Sequence, residues 1–244
     1  MKLFFIFLIN IFLLFSLNLN ASNDFVYTQS GVVEGLKKNR SGLYQDIPYA
    51  QPPVGNLRWK APRTLKSSDK ILPKDENFCI QRPSNLGGAE GDDFYAGSED
   101  CLYLDIYTPS KIKNDLPVMF WIHGGGNTSG LKDLYDFSKM VSKHDVIVVA
   151  INYRLGPMGW FTHPAIQEFQ DGDDKTSNFG TLDIIEALKW VNNNIDQFGG
   201  DAENITVFGE SAGGHNVYTL LASPLAEGLF QKAISQSEIG RAHV

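Results

Sequence analysis

The sequence predicts an α/β fold with a mainly parallel central sheet flanked by helices. Three short apolar runs rich in β-branched or aromatic residues, LPVMFWIHGGG, HDVIVVAINYR and NITVFGES, are typical of strands buried on both faces. Between the second and the third lies TLDIIEALKWVNNNIDQFGG, in which apolar residues recur at helical spacing until Gly199 and Gly200 end the run. Strands that alternate with helices imply βαβ units, and such units build parallel sheets.

The start of the chain has the layout of a secretory signal peptide. Lys2 is followed by an apolar run, interrupted by Asn10, and then by small and polar residues that end at Ala21. We expect cleavage near Ala21, so that residues 1–21 are removed and the protein is secreted or periplasmic. The alternative is a membrane anchor. The apolar run is short for that role, and we expect no stable membrane span after cleavage.

Composition narrows the classes of partner. The 244 residues carry a formal net charge of −7 and contain no cluster of Lys or Arg, so we expect no nucleic-acid partner. An apolar content of 43% is ordinary for a globular domain and argues against disorder.

Cys79 and Cys101 are the two cysteines of the sequence, and both lie in the part expected to be exported. In an oxidising compartment they are expected to form one disulfide, which contributes about 3 kcal/mol in the chain-entropy model. The alternative is two free thiols, which export disfavours. The Gly-rich, acidic segment between the two cysteines predicts a surface loop.

The other segments are assigned in chain order. FVYTQSGVVEG predicts a hairpin around Gly31. IPYAQPPVGNLRWKAPRT is rich in proline and is expected to be largely irregular, because each proline removes a backbone donor. A second helix is predicted after Ser211, through GGHNVYTLLAS, and LFQKAISQS begins another strand.

The strongest candidate site is VFGESAGG, residues 207–214. Gly209-x-Ser211-x-Gly213 lies between a predicted strand and a predicted helix, which is the position of a nucleophile elbow. Glycines on both sides permit a strained turn that projects the serine hydroxyl above the sheet, near the positive end of the helix. The alternative is a Gly-rich turn that binds phosphate or a cofactor, but the dinucleotide spacing G-x-G-x-x-G is absent there.

A second motif, HGGG at residues 123–126, follows the predicted strand VMFWI. A hydrolase that forms a tetrahedral intermediate needs backbone N–H groups that converge on the developing oxyanion, and consecutive glycines let the backbone approach that oxygen closely. The alternative is an ordinary flexible loop. Two complementary motifs on successive sheet elements favour hydrolytic catalysis.

With these motifs the chain resembles the type-B carboxylesterase family, which includes the cholinesterases, within the α/β-hydrolase fold. The resemblance rests on SEDCLYLDIYTP, WIHGGG, INYRLGPMGW, NFGTLDIIEALKWVNNNIDQFGGDAENITVFGESAGG and IPYAQPPVGNLRW, and runs almost continuously from about Tyr27 to Ser237. It implies that residues 22–237 are the N-terminal part of such a domain, truncated after the strand that follows the nucleophile helix.

The resemblance also implies catalytic roles. Ser211 corresponds to the nucleophile, and Glu210 to a buried neighbour of it. The expected oxyanion donors are three backbone N–H groups, those of Gly125, Gly126 and Ala212. No metal and no organic cofactor is implied.

Structural residues follow from the same resemblance. Cys79 and Cys101 correspond to the first disulfide of the family. Four charged residues are expected to form two structural ion pairs, Arg58 with Glu99 and Arg154 with Asp183. The alternative for these four is solvated surface charge.

Two departures from the family concern specificity. Cholinesterases carry a tryptophan in the first disulfide loop that holds a quaternary ammonium by a cation–π contact. The loop here has no tryptophan, and its nearest substitutes are Phe94 and Tyr95, so choline esters are disfavoured. Asn127 follows the glycines where the family usually has an aromatic residue. It also begins an N-T-S sequon, which we interpret as chance because a glycan there would block the site.

The base and the acid of a catalytic triad are expected after Ser211, because this fold carries them in the order Ser, Asp or Glu, His. His243 is downstream but comes too early for the family. We interpret residues 238–244 as a non-native tail, in which 239–244 match the translation of a common sequencing adapter. The acid and the histidine are therefore expected beyond this segment, and the segment alone is expected to be inactive.

The predicted function is hydrolysis of small carboxylic esters through an acyl-enzyme on Ser211, without a metal or organic cofactor. The alternative is a non-catalytic binding or adhesion protein, as in the neuroligin branch of the family, because fold alone does not determine function. The intact elbow, together with Gly125 and Gly126, favours the enzyme. The acyl and alcohol groups of the substrate are not determined by the sequence.

Overall fold

The computed structural model describes residues 25–237, apart from 39, 75–76, 86, 92–93 and 112. The expected signal peptide (residues 1–21) and the expected tail (residues 238–244, with His243) lie outside the described residues.

The described residues form strands and helices that alternate in the second half of the chain. The strands are β1 Phe25–Thr28, β2 Gly31–Glu34, β3 Leu36–Lys38, β4 Ser41–Pro48, β5 Tyr103–Pro109, β6 Leu116–Ile122, β7 Ile147–Ile151, β8 Gly200–Glu210 and β9 Lys232–Gln236. The helices are α1 Ser138–His144, α2 Gly156–Gly159, α3 Pro164–Gln167, α4 Phe179–Asn194 and α5 Ala212–Ala222. Short 3₁₀ turns occur at Gly55–Leu57, Gly172–Lys175, Ile195–Phe198 and Pro224–Ala226.

One mixed sheet organises the fold, with the strand order β3-β4-β5-β7-β6-β8-β9, and β1 and β2 form the predicted hairpin beside it. Strands β7, β6, β8 and β9 run parallel to one another. Strands β3, β4, β5 and β7 pair antiparallel. The predicted α/β class with flanking helices is confirmed, and the parallel half of the sheet is the half that carries the candidate site.

The parallel half follows from the three apolar runs of the sequence. All five residues of β7, the central strand of the sheet, are buried. Strands β6 and β8 follow it on one side, and most of their apolar residues are buried. Parallel neighbours need crossover connections, which α1, α4 and α5 supply. Ile122 at the end of β6 is in register with Ile151 of β7 and with Gly209 of β8. The loops that follow these three strands therefore meet at the carboxyl-terminal ends of the parallel strands.

Strands β3, β4 and β5 were not predicted from the sequence. In β4 the buried residues do not alternate, because a β-bulge shifts the register between Tyr44 and Ile47. Asp46, inside that bulge, has a φ of 57° and donates its backbone N–H to Asp105 of β5. A strand with a buried aspartate and no period of two lacks the signal by which half-buried strands are recognised.

The described contacts tie the N-terminal loops to the sheet. Cys79 and Cys101 form the expected disulfide. Arg58 and Glu99 form the expected ion pair, and its geometry is bidentate, with Nε and Oε2 2.6 Å apart. Because Arg58 is largely exposed, this pair orients the loop at Gly55–Leu57 more than it stabilises the fold.

The second expected ion pair, Arg154 with Asp183, is buried. Two guanidinium nitrogens of Arg154 lie 2.7 Å from the two carboxylate oxygens, and the backbone N–H of Arg154 donates to the same carboxylate at 3.1 Å. Arg154 follows β7 and Asp183 lies on α4, so the pair joins a sheet edge to the helix that covers it. Within the described residues, no helix combines the length and apolar character needed to cross a membrane.

Candidate active site

Ser211 occupies a sharp turn between β8 and α5. Its φ and ψ are 56° and −122°, a conformation that residues with a side chain rarely adopt. The backbone around it is held on both sides: the Ser211 N–H donates to the Gln236 carbonyl of β9 at 3.0 Å, and the Ser211 carbonyl accepts from the His215 N–H at 3.1 Å. Such a strained residue persists only where its surroundings over-determine it, and strain of this kind concentrates at functional sites.

Steric contacts explain the glycines of G-x-S-x-G. A Cβ on Gly213 would lie 2.1 Å from the Ile122 carbonyl oxygen of β6, and a Cβ on Gly209 would lie 2.5 Å from the Gly213 carbonyl. A heavy atom cannot approach that closely without moving the backbone. The turn that presents Ser211 thus requires glycine at both positions.

The HGGG motif begins a loop, residues 123–130, which we call the glycine loop. A Cβ on Gly124 would lie 3.3 Å from Cβ of Ser211 and 2.7 Å from the Glu210 carbonyl oxygen, so the loop runs directly alongside the serine. Gly125 and Gly126 have φ values of 94° and 64°, and the Gly125 carbonyl accepts from the N–H of Ser129 at 3.0 Å. This turn leaves the Gly125 and Gly126 N–H groups without a main-chain acceptor among the described residues.

Ala212, the third expected donor, is the first residue of α5. The N–H groups in the first turn of a helix have no partner within the helix, and the helix dipole adds positive potential there. The structure therefore brings the expected nucleophile and the elements that carry the three expected donors together at the carboxyl-terminal ends of the parallel strands. Their catalytic roles remain predictions.

His123, the first residue of the glycine loop, is buried. Its ring stacks on Tyr153 with centroids 4.4 Å apart, and Nδ1 lies 2.9 Å from the Gly124 carbonyl oxygen, which requires a proton on Nδ1. Burial lowers the pKa of His123 to about 4, although the hydrogen bond to Gly124 opposes the shift. His123 is therefore a neutral structural residue at neutral pH.

A pH dependence of stability follows from His123. An unfolded histidine has a pKa of about 6.5, so between pH 6.5 and 4 the unfolded state binds a proton that the folded state does not. The contribution of this group to stability is intact above pH 6.5 and is lost as the pH falls. The gap between the two pKa values corresponds to roughly 3 kcal/mol. His123→Phe keeps the ring stacking but has no group to protonate. We therefore expect its free energy of unfolding to fall by about 3 kcal/mol less than that of the wild type between pH 7 and 4.

The measurement is urea unfolding of the full-length protein at a series of pH values between 7 and 4. His144→Gln, at an exposed histidine near the end of α1, is the matched control and should retain the wild-type profile. Parallel profiles for wild type and His123→Phe would contradict the assignment.

A family model described as the carboxylesterase family matches residues 22–242. The chain belongs to the carboxylesterase family. Para-nitrobenzyl esterase of Bacillus subtilis (strain 168) is 45% identical over 224 residues, which cover 90% of this chain and 45% of that protein. Fumonisin B1 esterase of Sphingopyxis macrogoltabida is 42% identical and is matched over 86% of this chain and 39% of that protein.

Solved carboxylesterase structures share the fold. A thermophilic pNB esterase superposes with a TM-score of 0.76 at 42% identity, covering 88% of this chain and 44% of that one. Carboxylesterase EST55 of Geobacillus stearothermophilus gives a TM-score of 0.74 at 37% identity, covering 86% and 42%. These neighbours confirm the α/β-hydrolase fold. The chain spans less than half the length of the relatives that it matches.

In this carboxylesterase chain a cavity of about 620 Å³ opens beside the glycine loop. Its wall combines the disulfide loop, the glycine loop and the turn into α2, with residues that include Tyr95, Thr128, Ser129, Leu155 and Met158. A cavity of this size holds a small organic molecule. At its rim the Arg82 guanidinium lies 4.5 Å from the ring centre of Phe94 and 5.9 Å from that of Tyr95.

Sequence reasoning assigned no structural role to several polar residues that are buried or half-buried in the fold. Lys132 is fully buried between two buried aspartates, and Asn127, Tyr153 and Asn216 form a polar junction behind the glycine loop. A lysine or an asparagine in a loop usually faces solvent, so nothing in the local pattern marks these residues. Within the described residues, no group of three or more His, Cys, Asp or Glu could hold a metal ion.

Proposed function

We propose that this carboxylesterase segment is the N-terminal part of a serine hydrolase that cleaves small carboxylic esters. Ser211 attacks the ester carbonyl, and the resulting oxyanion accepts hydrogen bonds from the N–H groups of Gly125, Gly126 and Ala212. The alcohol leaves, and water hydrolyses the acyl-enzyme on Ser211. The base and the orienting acid are supplied by the part of the domain that follows this segment.

The observation that carries the proposal is the strained turn at Ser211 beside the N–H groups of Gly125 and Gly126, which have no main-chain acceptor among the described residues. A strained conformation costs about 1–3 kcal/mol, and an elbow that only linked a strand to a helix would not need it. This favours the enzyme over the non-catalytic binding protein, which has no use for a projecting serine hydroxyl. The substrate class is supported by the relatives, which are named for para-nitrobenzyl and fumonisin B1 esters.

Exposed apolar residues support a continuation of the domain. Strand β9 lies at the edge of the sheet and exposes 45% of Ile234, and the region from α5 onward exposes about half of Tyr218, Leu221 and Leu225. A parallel edge strand beside an apolar helix face is prone to aggregate unless further elements cover it.

We further propose that the protein is secreted or periplasmic. The signal-like layout of residues 1–21 and the Cys79–Cys101 disulfide support this location.

Choline esters remain disfavoured as substrates. The rings that could replace the cholinesterase tryptophan, Phe94 and Tyr95, already have the Arg82 cation over them. A second cation at the same rings would be repelled by the guanidinium.

Covalent labelling tests the proposal. The full-length enzyme, meaning the reading frame that contains this segment and its continuation, should release a burst of p-nitrophenol from p-nitrophenyl acetate. A fluorophosphonate should form one adduct, which peptide mass spectrometry should locate at Ser211. An adduct at another serine would contradict the assignment of the nucleophile. A folded protein that neither turns over esters nor forms the adduct would contradict the proposed function and favour the binding-protein alternative.

A further inference from the structure

A polar junction behind the glycine loop joins that loop to the nucleophile helix. The Oδ1 atom of Asn127 accepts a hydrogen bond from Nδ2 of Asn216 at 2.9 Å. The hydroxyl of Tyr153 lies 3.2 Å from the same Oδ1 and donates to the His123 carbonyl oxygen at 2.7 Å. The junction thus connects the loop after β6, the segment after β7 and helix α5.

The residues of this junction are placed where they can set the geometry of the site. Asn127 directly follows Gly126, and Asn216 lies on α5, the helix that begins beside Ser211. The paired residues of β6 and β8 end with Ile122 opposite Gly209, before the glycine loop and before the turn at Ser211. Beyond that point the Asn127–Asn216 hydrogen bond is a side-chain link between the expected oxyanion donors and the helix that carries the nucleophile.

The backbone of Asn127 is also constrained. It has a φ of 57°, a conformation that asparagine tolerates better than other residues with a side chain, and its carbonyl accepts from the Gly156 N–H at 2.7 Å. Asn216 is 4% exposed, so its amide would be unsatisfied without a protein partner. The link between the two amides therefore satisfies a buried amide at Asn216 and a half-buried one at Asn127.

We propose that the Asn127–Asn216 amide pair is a positioning device, which holds the N–H groups of Gly125 and Gly126 at their working distance from Ser211. The inference rests on the proposed esterase function and adds two positioning residues to it. Neither side chain contacts the reacting atoms. They act through the glycine loop, whose donors must lie within hydrogen-bond distance of an oxyanion that exists only in the transition state.

Two variants separate the side chains from the backbone. Asn127→Gly removes the amide and keeps the positive φ accessible, and Asn216→Ala removes the partner and suits the helix. In the full-length enzyme each should lower kcat for p-nitrophenyl acetate about 10- to 100-fold and leave KM nearly unchanged, because the misplaced donors stabilise only the transition state. The kcat of the double variant should be only slightly lower than that of the less active single variant, because each substitution removes the same hydrogen bond.

A trifluoromethyl ketone gives a second readout. It forms a tetrahedral oxyanion on the serine, so its affinity should fall in parallel with kcat/KM across the three variants. Asn192→Ala is the matched control. Asn192 bridges α4 to the Leu229 carbonyl through its amide, so this variant should lower the Tm without changing kcat.

The possible outcomes separate this inference from the proposed function. A wild-type enzyme without burst or adduct at Ser211 overturns the proposed function itself. Given a normal wild-type burst, the positioning role is overturned if kcat is unchanged in both single variants, if their effects multiply in the double variant, or if only KM and Tm change. A fall in kcat with matched loss of ketone affinity and a non-additive double variant supports it.

Discussion

Replacing Ser211 by alanine in the full-length enzyme should lower kcat for p-nitrophenyl acetate by about 10⁴-fold or more. The reason is that the acyl-enzyme forms on the hydroxyl of Ser211. The alanine variant keeps the oxyanion donors in place but lacks the nucleophile. Steady-state kinetics and the loss of fluorophosphonate labelling measure the effect. Ser142→Ala, at an exposed serine of α1, is the matched control and should keep full activity.

A second substitution at the same position tests the strain. Ser211→Gly should be as inactive as the alanine variant but more stable, by about 1 kcal/mol, because glycine adopts a φ of 56° without a steric cost. Equal or lower stability of Ser211→Gly than of Ser211→Ala would show that the turn is not strained. Retained activity in either variant would show that Ser211 is not the nucleophile.

Replacing Lys132 by methionine should lower the free energy of unfolding by about 3–5 kcal/mol. Nζ of Lys132 lies 3.0 Å from Oδ1 of Asp46 and 2.9 Å from Oδ1 of Asp105, and the three side chains are 1%, 6% and 0% exposed. Burial alone would lower the pKa of Lys132, but the two carboxylates outweigh it and raise the pKa. Methionine fills the space without the charge and leaves two buried aspartates facing each other.

The pH dependence of the methionine variant identifies the cause. Burial raises the pKa of Asp105 even with Lys132 beside it, and removal of the cation raises it further. A buried acid with a raised pKa favours the folded state when it is protonated, so the variant should regain stability as the pH falls from neutrality toward the unfolded-state pKa of aspartate. Urea unfolding at neutral and acidic pH measures the difference.

Two further variants complete this test. Adding Asp105→Asn to Lys132→Met should recover part of the lost stability, because one of the unpaired charges is removed. Lys189→Met, at an exposed position of α4, is the matched control and should change stability by less than about 0.5 kcal/mol. A loss of equal size at all pH values would assign the effect to packing and not to charge.

Much of the parallel half of the fold could be predicted from the sequence. Strands β6, β7 and β8 are buried on both faces, and their composition shows it directly. The predicted apolar helical pattern forms α4 up to Asn194 and then a 3₁₀ turn that ends at Gly199. Helix α5 begins at the residue after Ser211, as expected. The antiparallel half was missed because β4 contains a bulge and a buried charged residue, which remove the alternation that reveals a strand.

By itself the sequence determined the candidate nucleophile, because G-x-S-x-G between a strand and a helix is a local pattern whose glycines are required by contacts with neighbouring backbone. It also identified the glycine loop, the disulfide and the two ion pairs, all of which have local motifs or family matches. Only the tertiary structure decided how Lys132 is buried between Asp46 and Asp105, and how Asn127 meets Asn216. Those partners are far apart in the chain, and a polar residue is marked as buried only when folding brings its partner to it.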